Sequence, residues 1–323
     1  LKIYFVIFFF YYVAKQSKAP YYYVVVRLLL CNIQTFLFWC LPFNVMWVHN
    51  LNPVLLDLGP VEIRWYGLTY VLGFFLSVGW LFYLRKKKQI ALDKDGIWDF
   101  VFYLMLGVLI GSRVFEIFWE PRYYLSNPLN LLKFWQGGMS FHGGFVGIVT
   151  AAWIYCKKKN LSFWQMADLL SVPTIFALAL GRLANFVNGE LVGRVWEGKW
   201  CVVFPDYGPQ CRHPNMIYSF FQRMIVFGWL FLLTFWKEFK PSQVAGASDR
   251  IFTSFRPGFI FWNFVFWEGL GRIIVDFYRE DALYLGLSLG QWFSSIMVVA
   301  AVTAFIKIYS EDWKQLFSRT RNY

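Results

Sequence analysis

The sequence predicts an all-α, polytopic integral membrane protein with about seven transmembrane helices and a small external cap. Of its 323 residues, 58% are hydrophobic and only 15% are charged, whereas a soluble domain carries about 25% charged residues. Apolar runs of about 20 residues recur along the chain, and a helix needs that length to cross a bilayer. These observations exclude a large soluble core as the fold class.

Seven apolar runs predict the spanning helices. The predicted spans are 66–84, 98–118, 139–156, 163–182, 216–235, 259–279 and 286–306. Basic residues follow the first, third, fifth and seventh spans, within 85–88, 157–159, 237–256 and 307–321. Because Lys and Arg concentrate in cytoplasmic loops, every odd-numbered span is expected to end in the cytoplasm. The connections 119–138 and 183–215 then face outward and form the cap.

The net charge of +12 has two possible sources, nucleic-acid binding or membrane orientation. The basic residues lie beside the ends of apolar runs, as in cytoplasmic loops of membrane proteins. Charge here therefore indicates orientation and contact with anionic membrane lipids. We expect no nucleic-acid partner.

Residues 1–45 are predicted to be an N-terminal extension outside the native protein. The apolar stretch 3–14 is too short to span, and the next run is interrupted by Arg27 and Asn32. We expect translation to start at Met46, so that the membrane domain covers 46–323. An extra N-terminal helix or an uncleaved signal anchor is the alternative.

Cys201 and Cys211 share one short polar loop that the topology places outside the membrane. An oxidising compartment would permit a disulfide there. The spacing leaves a bridge and two free thiols both open.

The fourth span carries polar residues at its outward end. Arg182 lies about 28 Å along it at 1.5 Å per residue, close to the outer interface. Arg182, Asn185 and Asn188 are three residues apart and face one direction if the helix continues. Gly189 is expected to end the helix and to place Glu190 in the cap.

The sixth span carries a charged stripe of alternating sign, Glu268, Arg272, Asp276 and Arg279. Charges inside a membrane are costly, so the stripe must face a partner helix or a water-filled cavity. Two alternatives stay open. The stripe could be a purely structural ion-pair ladder, and the arginines could be interfacial residues that snorkel.

The first and third spans begin at the same level. His142 lies between two glycine pairs just below the outer surface, and Tyr66 follows Arg64 and Trp65. Alone, His142 could be a packing histidine and Tyr66 an aromatic-belt anchor. The common depth of four segments favours one site in the outer leaflet.

A ring of arginines at this depth matches an anionic phosphate, because the guanidinium fork binds phosphate oxygens bidentately. The natural ligand is a phospholipid. The three histidines, His49, His142 and His213, form no HExxH motif, and no paired-cysteine pattern occurs. We therefore expect no metal and no cofactor, and chemistry that uses a positioned base and electrostatic stabilisation of a phosphate leaving group.

Four motifs carry a resemblance to a known family. IRWYGLTY, GGMSFHGG, GRLANFVNGELVGR and GRIIVDFYRE occur in this order, and they closely resemble the motifs of bacterial phosphatidylglycerol:prolipoprotein diacylglyceryl transferases. The resemblance covers roughly residues 46–310. It implies an enzyme of the bacterial inner membrane that transfers the diacylglyceryl group of phosphatidylglycerol to the lipobox cysteine thiol of a preprolipoprotein. The products are a thioether and glycerol phosphate.

The resemblance also implies site residues. The family's functional positions fall on Tyr66, His142, Arg182, Asn185, Glu190, Gly193 and Arg272. Together with the depth argument, this predicts a catalytic group of His142, Arg182, Arg272 and Tyr66. The predicted phosphatidylglycerol-binding residues are Arg182, Asn185, Asn188, Glu190, Gly193, Arg272, Asp276 and Arg279.

The sequence departs from the family pattern at four positions. The family commonly has Tyr at Glu268, Glu at Asp276, Gly at Ala184 and an acid at Ser219. Glu268 matters most, because a carboxylate near Arg272 would compete with substrate phosphate and change how that arginine is held.

The alternative function is a non-enzymatic lipid or solute transporter whose charged stripe lines a path. Transporters more often place polar groups near the midplane, on broken helices in both halves of a repeated fold. Here the polar groups crowd one leaflet and the sequence shows no repeat. The pattern therefore favours the enzyme.

Overall fold

A computed structural model describes residues 47–57, 59, 62–87, 90, 92–119, 121–129, 141–235 and 255–318. The chain divides into two compact units, Leu1–Trp47 and Val48–Tyr323. The predicted extension 1–45 and the predicted start at Met46 lie outside the described residues.

The described chain is mostly helical, as the sequence predicts. Its helices are α1 (Trp65–Lys86), α2 (Lys94–Trp119), α3 (Pro121–Ser126), α4 (Phe141–Lys158), α5 (Phe163–Asn188), α6 (Asn215–Thr234), α7 (Phe259–Asp276), α8 (Leu289–Lys307) and α9 (Ser310–Ser318). The strands are β1 (Trp47–Val48), β2 (Val54–Asp57), β3 (Glu62–Arg64), β4 (Val202–Val203), β5 (Cys211–Arg212), β6 (Leu283–Tyr284) and β7 (Leu287–Ser288). Among the described residues, β1, β4 and β5 form a three-stranded sheet in that order, and β2 with β3 and β6 with β7 form two antiparallel pairs.

Five helices within the described ranges are long and apolar enough to cross a membrane: α1, α2 over Lys94–Phe115, α5, α6 and α8. The helices α4 and α7 have 18 residues each. Three of the 18 residues of α7 are charged, Glu268, Arg272 and Asp276. Length and composition thus support a multi-pass membrane protein.

Two predicted element ends are corrected by the structure. The fourth apolar run was predicted over 163–182, and α5 continues past it to Asn188, where Gly189 ends the helix as expected. The connection predicted as 183–215 therefore begins at Gly189. The sixth span was predicted to reach Arg279, but α7 ends at Asp276. Arg279 instead forms an antiparallel bridge with Gly193.

Glycines let α2 and α4 pack with their backbones in contact. Gly107 and Gly111 on α2 face Gly143 and Gly147 on α4, and a Cβ at any of these positions would overlap atoms of the other helix. Each pair is spaced by four residues, the small-residue pattern of close helix packing in membranes. This contact fixes the first turn of α4, which contains His142, beside the second half of α2.

This packing predicts that Gly147→Ala destabilises the protein by about 1 to 3 kcal/mol through overpacking. The matched control is Gly79→Ala on α1, where a Cβ would meet nothing within 4 Å. Ala is a better helix former than Gly, so Gly79→Ala should be neutral or stabilising by about 0.5 to 1 kcal/mol. Thermal unfolding in detergent measures both variants. Equal unfolding temperatures for the two would contradict the close packing.

A buried carboxylate attaches α7 to α5 at the end of the bundle that carries the basic residues. Asp168 on α5 accepts hydrogen bonds from the backbone N–H groups of Gly258 and Phe261, both at 2.7 Å. These N–H groups belong to the first turn of α7, where they have no partner within the helix. The hydrophobic core is packed around this end, with Leu84 and Phe259 fully buried. The polar residues lie at the opposite ends of α5 and α7.

The outward-predicted connection after α5 is held by a disulfide. Cys201 and Cys211 are bridged, with their Cα atoms 5.4 Å apart, and the bridge joins the ends of the β4–β5 pair. This decides between the two alternatives that the spacing left open. We call residues 190–214 the outer segment.

Candidate functional site

The end of α5 forms a chain of polar hydrogen bonds. Arg182 Nη1 donates to Asn185 Oδ1 at 3.3 Å, and Asn185 Nδ2 donates to Glu190 Oε1 at 2.7 Å. Asn188 Nδ2 donates to the same carboxylate oxygen at 3.2 Å. Glu190 therefore orients both asparagines, and the Asn185 side chain in turn orients the guanidinium of Arg182.

Gly189 makes this arrangement possible. Its φ of 68° is the left-handed conformation that Gly adopts without a steric penalty, and it ends α5. The next residue, Glu190, donates its backbone N–H back to Asn185 O at 3.1 Å. His49 Nε2 donates to Phe186 O at 2.7 Å on the same turn. The carboxylate of Glu190 is thereby folded back beneath the last turn of the helix.

Gly193 is the point where the outer segment meets the end of α7. Its N–H donates to His213 O at 3.0 Å, and it bridges to Arg279. A Cβ there would lie 2.7 Å from Tyr278 O. The neighbouring Arg194 N–H donates to that same oxygen at 2.9 Å. The geometry assigns Gly193 to close backbone packing between these segments.

The charged residues of the predicted stripe form three ion pairs. Arg272 Nε lies 3.5 Å from Asp276 Oδ2 along the helix, and Arg279 Nε lies 3.1 Å from Asp281 Oδ1 beyond its end. Glu268 pairs across to Arg223 on α6. Asp276 thus holds Arg272 and Arg223 holds Glu268, so Glu268 and Arg272 form no ion pair among the described residues, and the effect of Glu268 on the substrate phosphate stays a prediction.

Arg223 is the residue that sequence reasoning missed. It is the single charged residue of α6, and its side chain is only 5% exposed. A lone charge within an apolar span was the available signal, because such a charge must have a partner inside the protein. That partner could not be found by spacing along one helix.

Arg182 is the centre of this charge cluster. The charged side chains that act on its guanidinium are those of Arg223, Glu268, Arg272 and Arg279. The other three arginines each have a carboxylate partner. In the described part of the chain, Arg182 has no carboxylate within ion-pair distance.

Tyr66 and His142 lie in the first turns of α1 and α4. Tyr66 is 37% exposed, and its carbonyl oxygen accepts a hydrogen bond from Thr69 Oγ1 at 2.8 Å. The side chain of His142 lies outside the described residues, so its predicted role stays a prediction. Across the ranges that the structure describes, no three His, Cys, Asp or Glu side chains group closely enough to hold a metal ion.

His213 lies within the outer segment, beside Gly193. Its Nδ1 lies 3.1 Å from the Tyr218 hydroxyl, and its ring stacks on Trp196 with the centroids 4.8 Å apart. Burial lowers the pKa of His213 below its ordinary value, because the charged form would lose its hydration. The imidazole is therefore neutral at neutral pH.

This environment predicts a pH dependence of stability. Because the pKa of His213 is lower in the folded than in the unfolded protein, its full contribution holds above the unfolded pKa and is lost as pH falls through the folded pKa. When the pH is lowered from neutral to mildly acidic, the His213→Gln variant should therefore lose less thermal stability than the unchanged protein. Melting curves of both proteins over that range measure the difference. Parallel pH profiles would contradict a lowered pKa of the half-buried His213 imidazole.

Comparison with known proteins decides the family. The model of the prolipoprotein diacylglyceryl transferase family matches residues 53–307. The chain belongs to this family. It is 38% identical over 277 residues to a phosphatidylglycerol–prolipoprotein diacylglyceryl transferase of Aliivibrio salmonicida, covering 82% of this chain and 92% of the relative.

Other diacylglyceryl transferases of the same name match over similar lengths. That of Geobacter sulfurreducens is 35% identical over 269 residues, covering 80% of this chain and 96% of its own. That of Rickettsia rickettsii is 36% identical over 260 residues, covering 77% and 94%. The family that the four motifs indicated is thus confirmed, and the similarity extends over nearly the whole length of these transferases.

Proposed function

We propose that this protein transfers the diacylglyceryl group of phosphatidylglycerol to the lipobox cysteine thiol of preprolipoproteins. The observation that carries the proposal is the arginine cluster at the ends of α5 and α7. Arg223, Arg272 and Arg279 are paired with carboxylates, whereas Arg182 is oriented by the neutral amide of Asn185. A cation held in this way is suited to the phosphate of a phospholipid. Membership of the transferase family supports the same substrates.

The membrane arrangement that fits this function has seven spanning helices, α1, α2, α4, α5, α6, α7 and α8. The last turns of α1, α4 and α8 contain Arg85 and Lys86, Lys157 and Lys158, and Lys307. These ends face the cytoplasm of a bacterium, following the positive-inside rule. The arginine cluster then faces the outer leaflet of the inner membrane, and the outer segment with 119–138 forms the external cap. The three charges of α7 are accommodated inside the protein, because Glu268 pairs with Arg223 on α6 and the side chains of Arg272 and Asp276 lie against Gly290 at the start of α8.

The chemistry is a displacement at the glycerol carbon that bears the phosphate. The cysteine sulfur forms a C–S bond while the C–O bond to the phosphate breaks, and the electron pair leaves with glycerol phosphate. The thiol proton passes to a base, for which His142 is the candidate. Arg182 and Arg272 stabilise the charge that develops on the leaving phosphate. Asn185, Asn188 and Glu190 keep Arg182 in position.

The direct test uses purified protein, vesicles containing phosphatidylglycerol and a peptide with a lipobox cysteine. We expect a thioether-linked diacylglyceryl peptide and an equal amount of glycerol phosphate, both measured by mass spectrometry. The matched control is the peptide with its cysteine replaced by serine. Absence of product, together with movement of labelled lipid between the two leaflets of the vesicles, would favour the transporter instead.

The membrane domain is proposed to cover residues 46–323. A protein beginning at Met46 should insert into the membrane and keep its activity, because the family match of 53–307 and every site residue follow that position. Membrane fractionation and the same transfer assay measure this. Failure of the shortened protein to insert would assign residues 1–45 a structural role.

A further inference from the structure

A buried ion pair links α6 and α7 beside Arg182. Arg223 Nη2 donates to Glu268 Oε1, and the two side chains are 5% and 10% exposed. Arg223 lies eight residues after Asn215, and Glu268 lies eight residues before Asp276. Both therefore lie about 12 Å from the outward ends of their helices at 1.5 Å per residue. The pair is inside the proposed membrane region and about one helical turn or less below Arg182 and Arg272.

Stability alone is a poor account of this pair. Among the residues that the structure describes, Arg223 Nε, Arg223 Nη1 and Glu268 Oε2 are buried without a hydrogen-bond partner. A buried ion pair repays its desolvation only when its remaining polar atoms are also satisfied. An apolar pair of similar volume would stabilise the two helices at least as well. The charges themselves therefore require an explanation.

That explanation lies in the position of Glu268. Arg223 and Glu268 are among the charged groups that act on Arg182, and Glu268 is the carboxylate among them. Opposite charges at short range attract each other strongly in a site of low polarity. Without Arg223, the carboxylate of Glu268 would turn to the remaining arginines of the cluster, of which Arg272 already has Asp276 as its partner and Arg182 has no carboxylate within the described ranges. Arg182 would then be neutralised by the protein itself.

We propose that Arg223 is a positioning residue that holds Glu268 away from Arg182, so that Arg182 stays available for the phosphate of the lipid substrate. The proposal rests on the proposed function and names a further requirement of the same site. Glu268 has the complementary effect. It neutralises Arg223, whose charge would otherwise add to that of Arg182 and hold an anion more tightly.

Removal of the Arg223 charge and removal of the Glu268 charge should therefore change the affinity for phosphatidylglycerol in opposite directions. Arg223→Gln frees Glu268 to compete with phosphate at Arg182, so the KM for phosphatidylglycerol should rise by about tenfold or more. Glu268→Gln leaves two neighbouring arginines without that carboxylate, so the KM should fall and glycerol phosphate should become a stronger product inhibitor. Arg223→Gln combined with Glu268→Gln removes both charges and should return the KM to within about threefold of the original value. Arg223→Lys keeps the charge and should leave the KM close to normal.

The experiment measures KM, kcat and inhibition by glycerol phosphate with phosphatidylglycerol diluted in phosphatidylcholine vesicles. Thermal unfolding is measured in parallel, because each single variant leaves one buried charge unpaired and should be less stable. A purely structural pair would produce similar losses from both single variants. The matched control is Arg256→Gln, which breaks the Arg256–Asp312 pair at the opposite end of the bundle. Its KM should not change.

Opposite shifts in KM that the double variant cancels would support the proposal. Shifts of both single variants in the same direction, or a double variant that keeps the KM of Arg223→Gln, would overturn it. If Arg223→Gln does not fold, Glu268→Gln decides alone, and an unchanged or raised KM overturns the proposal. Full activity of Arg182→Ala is a different result, because it would contradict the phosphate site itself.

Discussion

Arg182→Ala is expected to lose nearly all diacylglyceryl transfer, with kcat/KM lower by about 10³-fold or more. Arg182 is the cation of the cluster that has no carboxylate partner within the described ranges, and its guanidinium is oriented by Asn185 at 3.3 Å. The substituted alanine removes charge-assisted hydrogen bonds to a phosphate that becomes more negative as it leaves. Initial rates with phosphatidylglycerol vesicles and a lipobox peptide, at matched protein levels, measure the loss.

Two further variants refine this result. Arg182→Lys should restore only part of the rate, because Lys supplies the charge without the planar fork. Arg272→Ala should also be nearly inactive, since its side chain is 39% exposed beside a buried Asp276 and so can reach a ligand. The matched control is Arg85→Ala in the last turn of α1, at the opposite end of the bundle. Turnover near the normal value in either alanine variant at the site would refute the phosphate clamp.

His142→Gln is expected to lower turnover by about 10² to 10⁴ if the imidazole is the base. Gln keeps much of the size and hydrogen-bonding capacity of His but exchanges no proton near neutral pH. A thiol with a pKa of about 8.5 is mostly protonated at neutral pH, and its thiolate is the nucleophile. A base, or the positive field of the arginine cluster, must therefore raise the anionic fraction.

The pH profile distinguishes these two sources. If the rate of His142→Gln approaches that of the unchanged protein as pH rises toward the thiol pKa, His142 is the base. A constant deficit at every pH assigns His142 to positioning of the thiol. An unchanged rate removes it from the mechanism and leaves the arginine field as the activating influence.

Arg182→Ala and His142→Gln test roles that rest on different evidence. The role of His142 rests on a motif and on its place in the first turn of α4. The role of Arg182 rests in addition on observed partners, both its own and those of its neighbours. Arg182→Ala is therefore the sharper test of the structure, and His142→Gln is the sharper test of the family resemblance.

Features that depend on neighbouring residues in the chain were predictable from the sequence. The apolar runs indicated a membrane protein because hydrophobic length is a local property. Gly189 indicated the end of α5 because a left-handed conformation favours Gly over other residues. The spacing of Arg182, Asn185 and Asn188 placed them on one face of a helix, and all three belong to the hydrogen-bonded chain that includes Glu190.

Partners between elements were decided only by the tertiary structure. Spacing along α7 favoured Arg272 as the neighbour of Glu268, but the packing of α6 against α7 brings Arg223 to it instead. The bridge between Gly193 and Arg279, and the disulfide of Cys201 with Cys211, likewise depend on how separate segments meet. A charge takes the partner that lies within a few ångströms in a medium of low polarity, and distance along the chain does not measure that separation. The sequence by itself therefore determined the membrane character of the helices, the polar residues at the end of α5 and the family, whereas tertiary packing decided which arginine of the cluster has no carboxylate partner in the described part of the chain.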